Sequence, residues 1–144
     1  MQINGENCCR ADAASVYNAI LNPTRLAVAL LGCKTLSVTE HGVYTGQLAL
    51  GVGPMAGNFD ATVHVLEQQS PSYLRMEAKA KGFAGLVKFT MVLHLNETEG
   101  VTQIAWVVDA DVSGPVASVG SRLLGGVTRF IADQFFTALL ASEG

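Results

Sequence analysis

Charge is what this sequence has least of. Only 15% of its residues are Asp, Glu, Lys or Arg, against about 25% in an ordinary globular domain. The nine basic residues are scattered without a run, and the net charge is −3. That distribution excludes nucleic acid as the main partner, because phosphate binding needs a concentrated cationic face. Cysteine is also scarce and poorly spaced for chemistry. Cys8 and Cys9 are adjacent, and Cys33 stands apart with no second thiol or histidine at ligand spacing, so no metal centre is expected. Adjacent cysteines fit disulfide geometry poorly, and all three read as small apolar residues of a reducing compartment. No apolar run approaches the ~20 residues of a membrane-spanning helix. Residues 1–12 are polar and carry Glu6, Arg10 and Asp12, unlike a secretory signal. The expected location is cytoplasmic.

What the chain has instead is apolar content, 49% in 144 residues. The length fits one domain, 1–144, able to bury a sizeable core without staples. So much apolar side chain needs a large core, a subunit interface such as that of a homodimer, or a lined cavity.

Periodicity divides the chain in two. Gln2 to Cys8 reads as an edge strand. A short helix follows, with Asp12 as its cap and Ala14, Val16, Tyr17, Ile20 and Leu21 at helical spacing. Asn22-Pro23 starts a second short helix ending at Gly32, as proline favours a first turn and glycine an end. Five runs then alternate apolar and polar residues: Tyr44–Val52, Phe59–Val65, Leu74–Ala80, Val87–Leu95 and Ile104–Ala110. Period two marks strands with one dry and one wet face, and the short links predict an antiparallel meander. From Pro115 the spacing becomes helical, with Leu124, Val127, Ile131 and Phe135 on one face. A helix of about 25 residues, roughly 38 Å long, is predicted there. A one-faced sheet needs a cover, and this is the one long helix available. The fold class is therefore α+β: a curved antiparallel sheet gripping a long C-terminal helix, with two short helices after the first strand.

Inward positions mix small residues (Gly46, Ala61, Ala78, Ala80, Ala110) with large adaptable ones. The candidate ligand-binding set is Tyr44, Met55, Phe59, Met76, Phe89, Met91 and Trp106 from the sheet, with Leu124, Val127 and Ile131 from the helix. Methionines fit irregular shapes and aromatics give flat walls. The same mixture also makes ordinary core. A cavity of roughly 300 Å³ or more between Trp106 and the helix distinguishes the two. Gly120, Gly125 and Gly126 imply close backbone approach or a helix that flexes at a cavity mouth.

Catalytic patterns are missing. His41 falls in a turn, His64 and His94 on outward strand positions, and Asp109 and Asp111 opposite Trp106. Only Tyr44 and Tyr17 offer inward polar groups to acid–base work. Gly51–Gly57 lacks the Lys-Ser/Thr end of a phosphate loop and reads as a strand connection or a flap over a cavity. Arg75, Glu77, Lys79, Lys81 and Lys88 form a solvated outer face.

The order of several short motifs resembles one family. These are Met1–Glu6, Asn22-Pro23 before Leu26, Gly32-Cys33, Gly51-Val52-Gly53-Pro54 with Gly57 and Phe59, and Lys81-Gly82 with Gly85. Gly120-Ser121-Arg122-Leu123 and Ala132–Phe136 complete the set. Together they resemble the CoxG family of carbon monoxide dehydrogenase subunits, within the START-like (SRPBCC) helix-grip superfamily. The resemblance implies an internal hydrophobic cavity, a quinone- or lipid-like ligand and association with a CO dehydrogenase-type molybdenum hydroxylase. It implies no catalytic motif and no cofactor. Leu31 stands where the family usually has proline, and Cys8-Cys9 where it has aromatic or aliphatic residues. Membrane-docking members often carry an apolar tail beyond the long helix. The sequence reaches Gly144 without one, so peripheral membrane contact without an anchor is the expectation. Three functions follow in order: a non-enzymatic carrier of an apolar molecule, an assembly or recruitment factor for such an oxidoreductase, and a small cyclase or hydratase using Tyr44 or Trp106.

Overall fold

The computed structural model describes residues 1–53 and 55–139. Seven strands form one antiparallel sheet: β1 (Gln2–Cys9), β2 (Cys33–Glu40), β3 (Val43–Val52), β4 (Met55–Gln69), β5 (Tyr73–Gly82), β6 (Gly85–Thr98) and β7 (Val101–Ser113). Their order is β1-β7-β6-β5-β4-β3-β2, so β1 and β2 are the edges. Register breaks at Val65/Glu67 in β4 and at two points along β2. Such irregularities increase bend and twist, and the sheet curves. Helices α1 (Ala13–Leu21) and α2 (Pro23–Ala29) link β1 to β2, and α3 (Ser121–Leu139) lies against the sheet. The helix-grip expectation holds.

The elements differ from the sequence reading in three places. Strand β2 was not expected: Leu36 and Val38 alternate with Thr35, Ser37 and Thr39, but two apolar positions, both outside the core, make a weak signal. Asp12 holds the cap position of α1 but makes no side-chain cap bond. The Ala13 N–H instead donates to Glu97 Oε1 on β6 at 2.7 Å, a cap supplied across the fold. The final helix also starts later than predicted. Pro115–Ser118 forms a separate 3-10 turn, and Gly120 adopts φ +96°, which interrupts the helix before α3 begins. Asn22 does cap α2, its Oδ1 accepting from the N–H groups of Thr24 at 2.9 Å and Arg25 at 3.3 Å.

The core is divided. One cluster joins α1, the middle strands and the end of α3 through Val16, Tyr17, Leu74, Ile104, Phe136 and Leu139. A smaller one joins Met55, Phe59, Val116, Leu124 and Val127 at the opposite end. The sheet and α3 do not close completely between them.

Candidate functional site

A cavity of about 270 Å³ lies between the inner face of the sheet and α3, walled by residues of both clusters. Nine of the ten residues singled out above line it: Tyr44, Met55, Met76, Phe89, Met91, Trp106, Leu124, Val127 and Ile131. Strand alternation puts the sheet members on one face, and the 3.6-residue period turns the helical ones toward it. Phe59 is not among the lining residues. It is 1% exposed and packs over Gly82, where an added Cβ would sit 2.8 Å from the ring. Its strand phase is inward, but its ring is packed in the second core cluster with Met55, Val116, Leu124 and Val127. Ala78 and Ala110 are lining residues, as small side chains that leave room. Ile20, Leu26 and Leu30 also line the cavity. Their apolar spacing on α1 and α2 was visible, but nothing in it tells which helices reach the space behind a sheet.

The polar side chains in this wall are already engaged. The Tyr44 hydroxyl donates to the Leu21 carbonyl at 2.6 Å, and the Thr128 hydroxyl donates to the Leu124 carbonyl at 2.8 Å. The Trp106 indole N–H donates to Asn7 Oδ1 at 2.8 Å, a side chain rather than the backbone carbonyl that a buried tryptophan commonly finds. Asn7 in turn donates through Nδ2 to Asp133 Oδ1 on α3 at 2.7 Å. Arg129 Nε donates to the Asn4 carbonyl at 3.3 Å. The ring of Trp106 is thus held between β1 and α3. Gly5 permits this: a Cβ there would lie 2.4 Å from the indole, so only glycine lets the ring lie against β1. Burial pushes the Tyr44 phenol above its ordinary range, so the hydroxyl stays a neutral donor near pH 7.

Other candidates fall elsewhere. His41, His64 and His94 are exposed, and His94 packs its ring on Tyr73 at 5.2 Å between centroids. Asp109 and Asp111 are exposed. The Tyr17 hydroxyl is buried without a partner among the described residues, and Tyr17 is not a lining residue. No group of three or more His, Cys, Asp or Glu that could hold a metal occurs among the described residues. The glycine-rich link is a hairpin paired up to Val52 and Met55, with Pro54 outside the described residues. Gly125 and Gly126 do not mark a close approach of another element. A Cβ at Gly125 would meet only the Arg129 side chain of the same helix, at 3.4 Å, and one at Gly126 would meet nothing within 4 Å.

A curved antiparallel sheet folded around one long helix, with an apolar space between them, is the helix-grip arrangement of START-like proteins. A START superfamily protein from Mycobacterium smegmatis aligns with TM-score 0.70 at 9% identity, covering 96% of this chain and 93% of that one. The chain belongs to the CoxG family of carbon monoxide dehydrogenase subunits, whose model matches residues 5–142. A conserved protein from Geobacillus kaustophilus is similar throughout, with TM-score 0.93, 26% identity, and coverage of 99% and 94% of the two chains. A protein from Chromobacterium violaceum has TM-score 0.76 at 14% identity, with coverage of 98% and 95%. No curated protein matches the chain. No helix among the described residues is long and apolar enough to cross a membrane.

Proposed function

We propose that this protein is a non-catalytic carrier that holds an apolar, ring-bearing molecule of the quinone or lipid class for a CO dehydrogenase-type molybdenum hydroxylase. The observation that carries this reading is the apolar cavity of about 270 Å³ whose polar side chains are bonded to the protein itself. Such a wall rewards apolar surface and leaves no side-chain donor free for a polar guest. The volume of about 270 Å³ falls just below the roughly 300 Å³ set above to separate a site from ordinary core, which is the lower end of drug-sized sites. It still exceeds the ~150 Å³ of an apolar cavity that stays dry and takes up benzene. The fitting guest is therefore one or two rings, or a headgroup whose chain runs out of the cavity. The family description, which names CoxG as part of carbon monoxide dehydrogenase, supports the partner.

A cyclase or hydratase would need an inward general acid or base. Tyr44, the nearest candidate, is bonded to Leu21 and held neutral by burial, so the carrier reading is favoured. Trp106 is the chain's single tryptophan and lies in the cavity wall, which gives a direct test. Titration with a short-chain quinone is expected to quench its emission saturably, and Trp106→Phe to remove the signal while calorimetry still detects binding. Unsaturable quenching, equal to that of free tryptophan, would exclude the site. The recruitment reading is separated by capture of the oxidoreductase: equal recovery by empty and quinone-loaded protein would favour it.

A further inference from the structure

Among the described residues that line the cavity, side-chain nitrogen or oxygen is carried by Tyr44, Trp106 and Thr128. Each of these groups has one proton to give, and each has given it inside the protein. The Tyr44 and Thr128 hydroxyls donate to the Leu21 and Leu124 carbonyls, and the Trp106 indole donates to Asn7. Leu21 and Leu124 are themselves lining residues, so both hydroxyl bonds join two members of the wall. An indole N–H has no acceptor capacity, so Trp106 has nothing further to offer a guest. The two hydroxyl oxygens differ: an oxygen that donates keeps lone pairs and still accepts.

The remaining heteroatoms of the wall are sulfur. All four methionines of the chain, Met1, Met55, Met76 and Met91, line the cavity. A thioether is a weak acceptor with nothing to donate. The backbone of the sheet adds no donor, since strands β3 to β7 are each paired on both sides and their N–H groups point along the sheet rather than out of it. A guest therefore meets acceptors of two kinds and no donor. Such a wall sets two oxidation states of one ring apart. A para-quinone carries two carbonyl oxygens, both acceptors, on opposite sides of the ring. Turning one toward the cavity mouth leaves the other inside, where it loses the hydrogen bonds that water gave it and finds none in return. The hydroquinone carries O–H groups at the same two positions and has protons to donate.

We propose that the cavity selects an apolar ring bearing a hydroxyl donor, a phenol or hydroquinone, over the same ring bearing carbonyls, with the Thr128 or Tyr44 oxygen receiving the O–H. It rests on the carrier reading and gives the carrier a direction: the guest is held more firmly in its reduced form than in its oxidised form. The preference is reciprocal by linkage. A tenfold tighter hold on the hydroquinone raises the two-electron potential of the bound guest by about 30 mV relative to the free one.

The test is anaerobic calorimetry of the full chain with menadione and with its hydroquinone. The hydroquinone is expected to bind roughly tenfold more tightly, the weight of one buried oxygen left without a partner, although it is the more water-soluble of the two. Thr128→Val or Tyr44→Phe, whichever removes the oxygen that the hydroxyl reaches, is expected to cut the preference roughly fivefold or more. The loss should fall on the hydroquinone and leave menadione nearly unchanged, which a merely distorted cavity would not do. Thr128→Ser keeps the oxygen and should keep the wild-type preference. Equal affinity for the two forms, tighter binding of menadione, or a preference kept by both Thr128→Val and Tyr44→Phe would overturn the proposal and leave the carrier reading in place. Saturable binding of neither form would remove both.

Discussion

The hydroxyl of Tyr44 has a partner in the Leu21 carbonyl, whereas that of Tyr17 is buried with none among the described residues. A buried donor left unmade costs about 1–3 kcal/mol. Tyr17→Phe removes the unpaired group and keeps the ring, so it is expected to stabilise the protein by about 1 kcal/mol near neutral pH. A rise in the urea midpoint at constant slope would register this; a fall would mean that the hydroxyl has a partner, such as a water. Burial raises both phenols above the ordinary 10.0. Above that pH the unfolded chain releases protons that the folded chain retains, so folding stability is complete below pH 10 and declines as pH rises through the folded values. Tyr17→Phe should show a shallower decline than wild type, because one of the two protons is gone from the linkage.

At the scale of elements, α3 is the least economical part of the design. Gly125 and Gly126 sit inside it with no positive φ, and Gly126 is exposed with open space where a Cβ would go. An interior glycine costs about 1 kcal/mol relative to alanine, so Gly126→Ala is expected to stabilise by that amount. If the pair gives α3 the freedom to admit a guest, quinone should also associate more slowly in stopped-flow quenching of Trp106; an unchanged rate would show that the glycine serves no exchange. Much of this layout was legible beforehand. The alternation of β3 to β7 and the helical spacing after Pro115 come from one buried face each, which is what periodicity records. Strand β2 buries no face and has only Leu36 and Val38 in apolar phase, so its signal was faint. The break at Gly120 depends on a positive φ that glycine permits but does not announce. The site was legible to the same extent: inward phase selected Met76, Met91 and Trp106, yet the same phase included Phe59. Phase cannot tell a side chain facing a space from one packed into filled core, as Phe59 is against Val116 and Leu124.

For the molecule as a whole, a built site between sheet and helix and imperfect packing there have opposite responses to being filled. Ala78 lies in the middle of β5, is buried, and lines the cavity beside Met76 and Phe89. In a tight core, Ala78→Leu would add carbons with nowhere to go, forcing off-rotamer neighbours at a cost of about 1–3 kcal/mol. In an empty cavity of about 270 Å³ the same carbons replace void with contact, and filling of that kind commonly gains about 0.5–2 kcal/mol. Ala78→Leu is therefore expected to raise the thermal midpoint of the ligand-free protein and to weaken quinone binding at least roughly tenfold, because the added side chain takes the ring's place. The two effects should also cancel in a definite way. Excess quinone stabilises wild type by mass action and leaves the variant nearly unmoved, so the midpoints should converge or cross as ligand is added. A variant that is less stable than wild type without ligand would return the space to ordinary core, and with it the function would shift toward recruitment of the oxidoreductase.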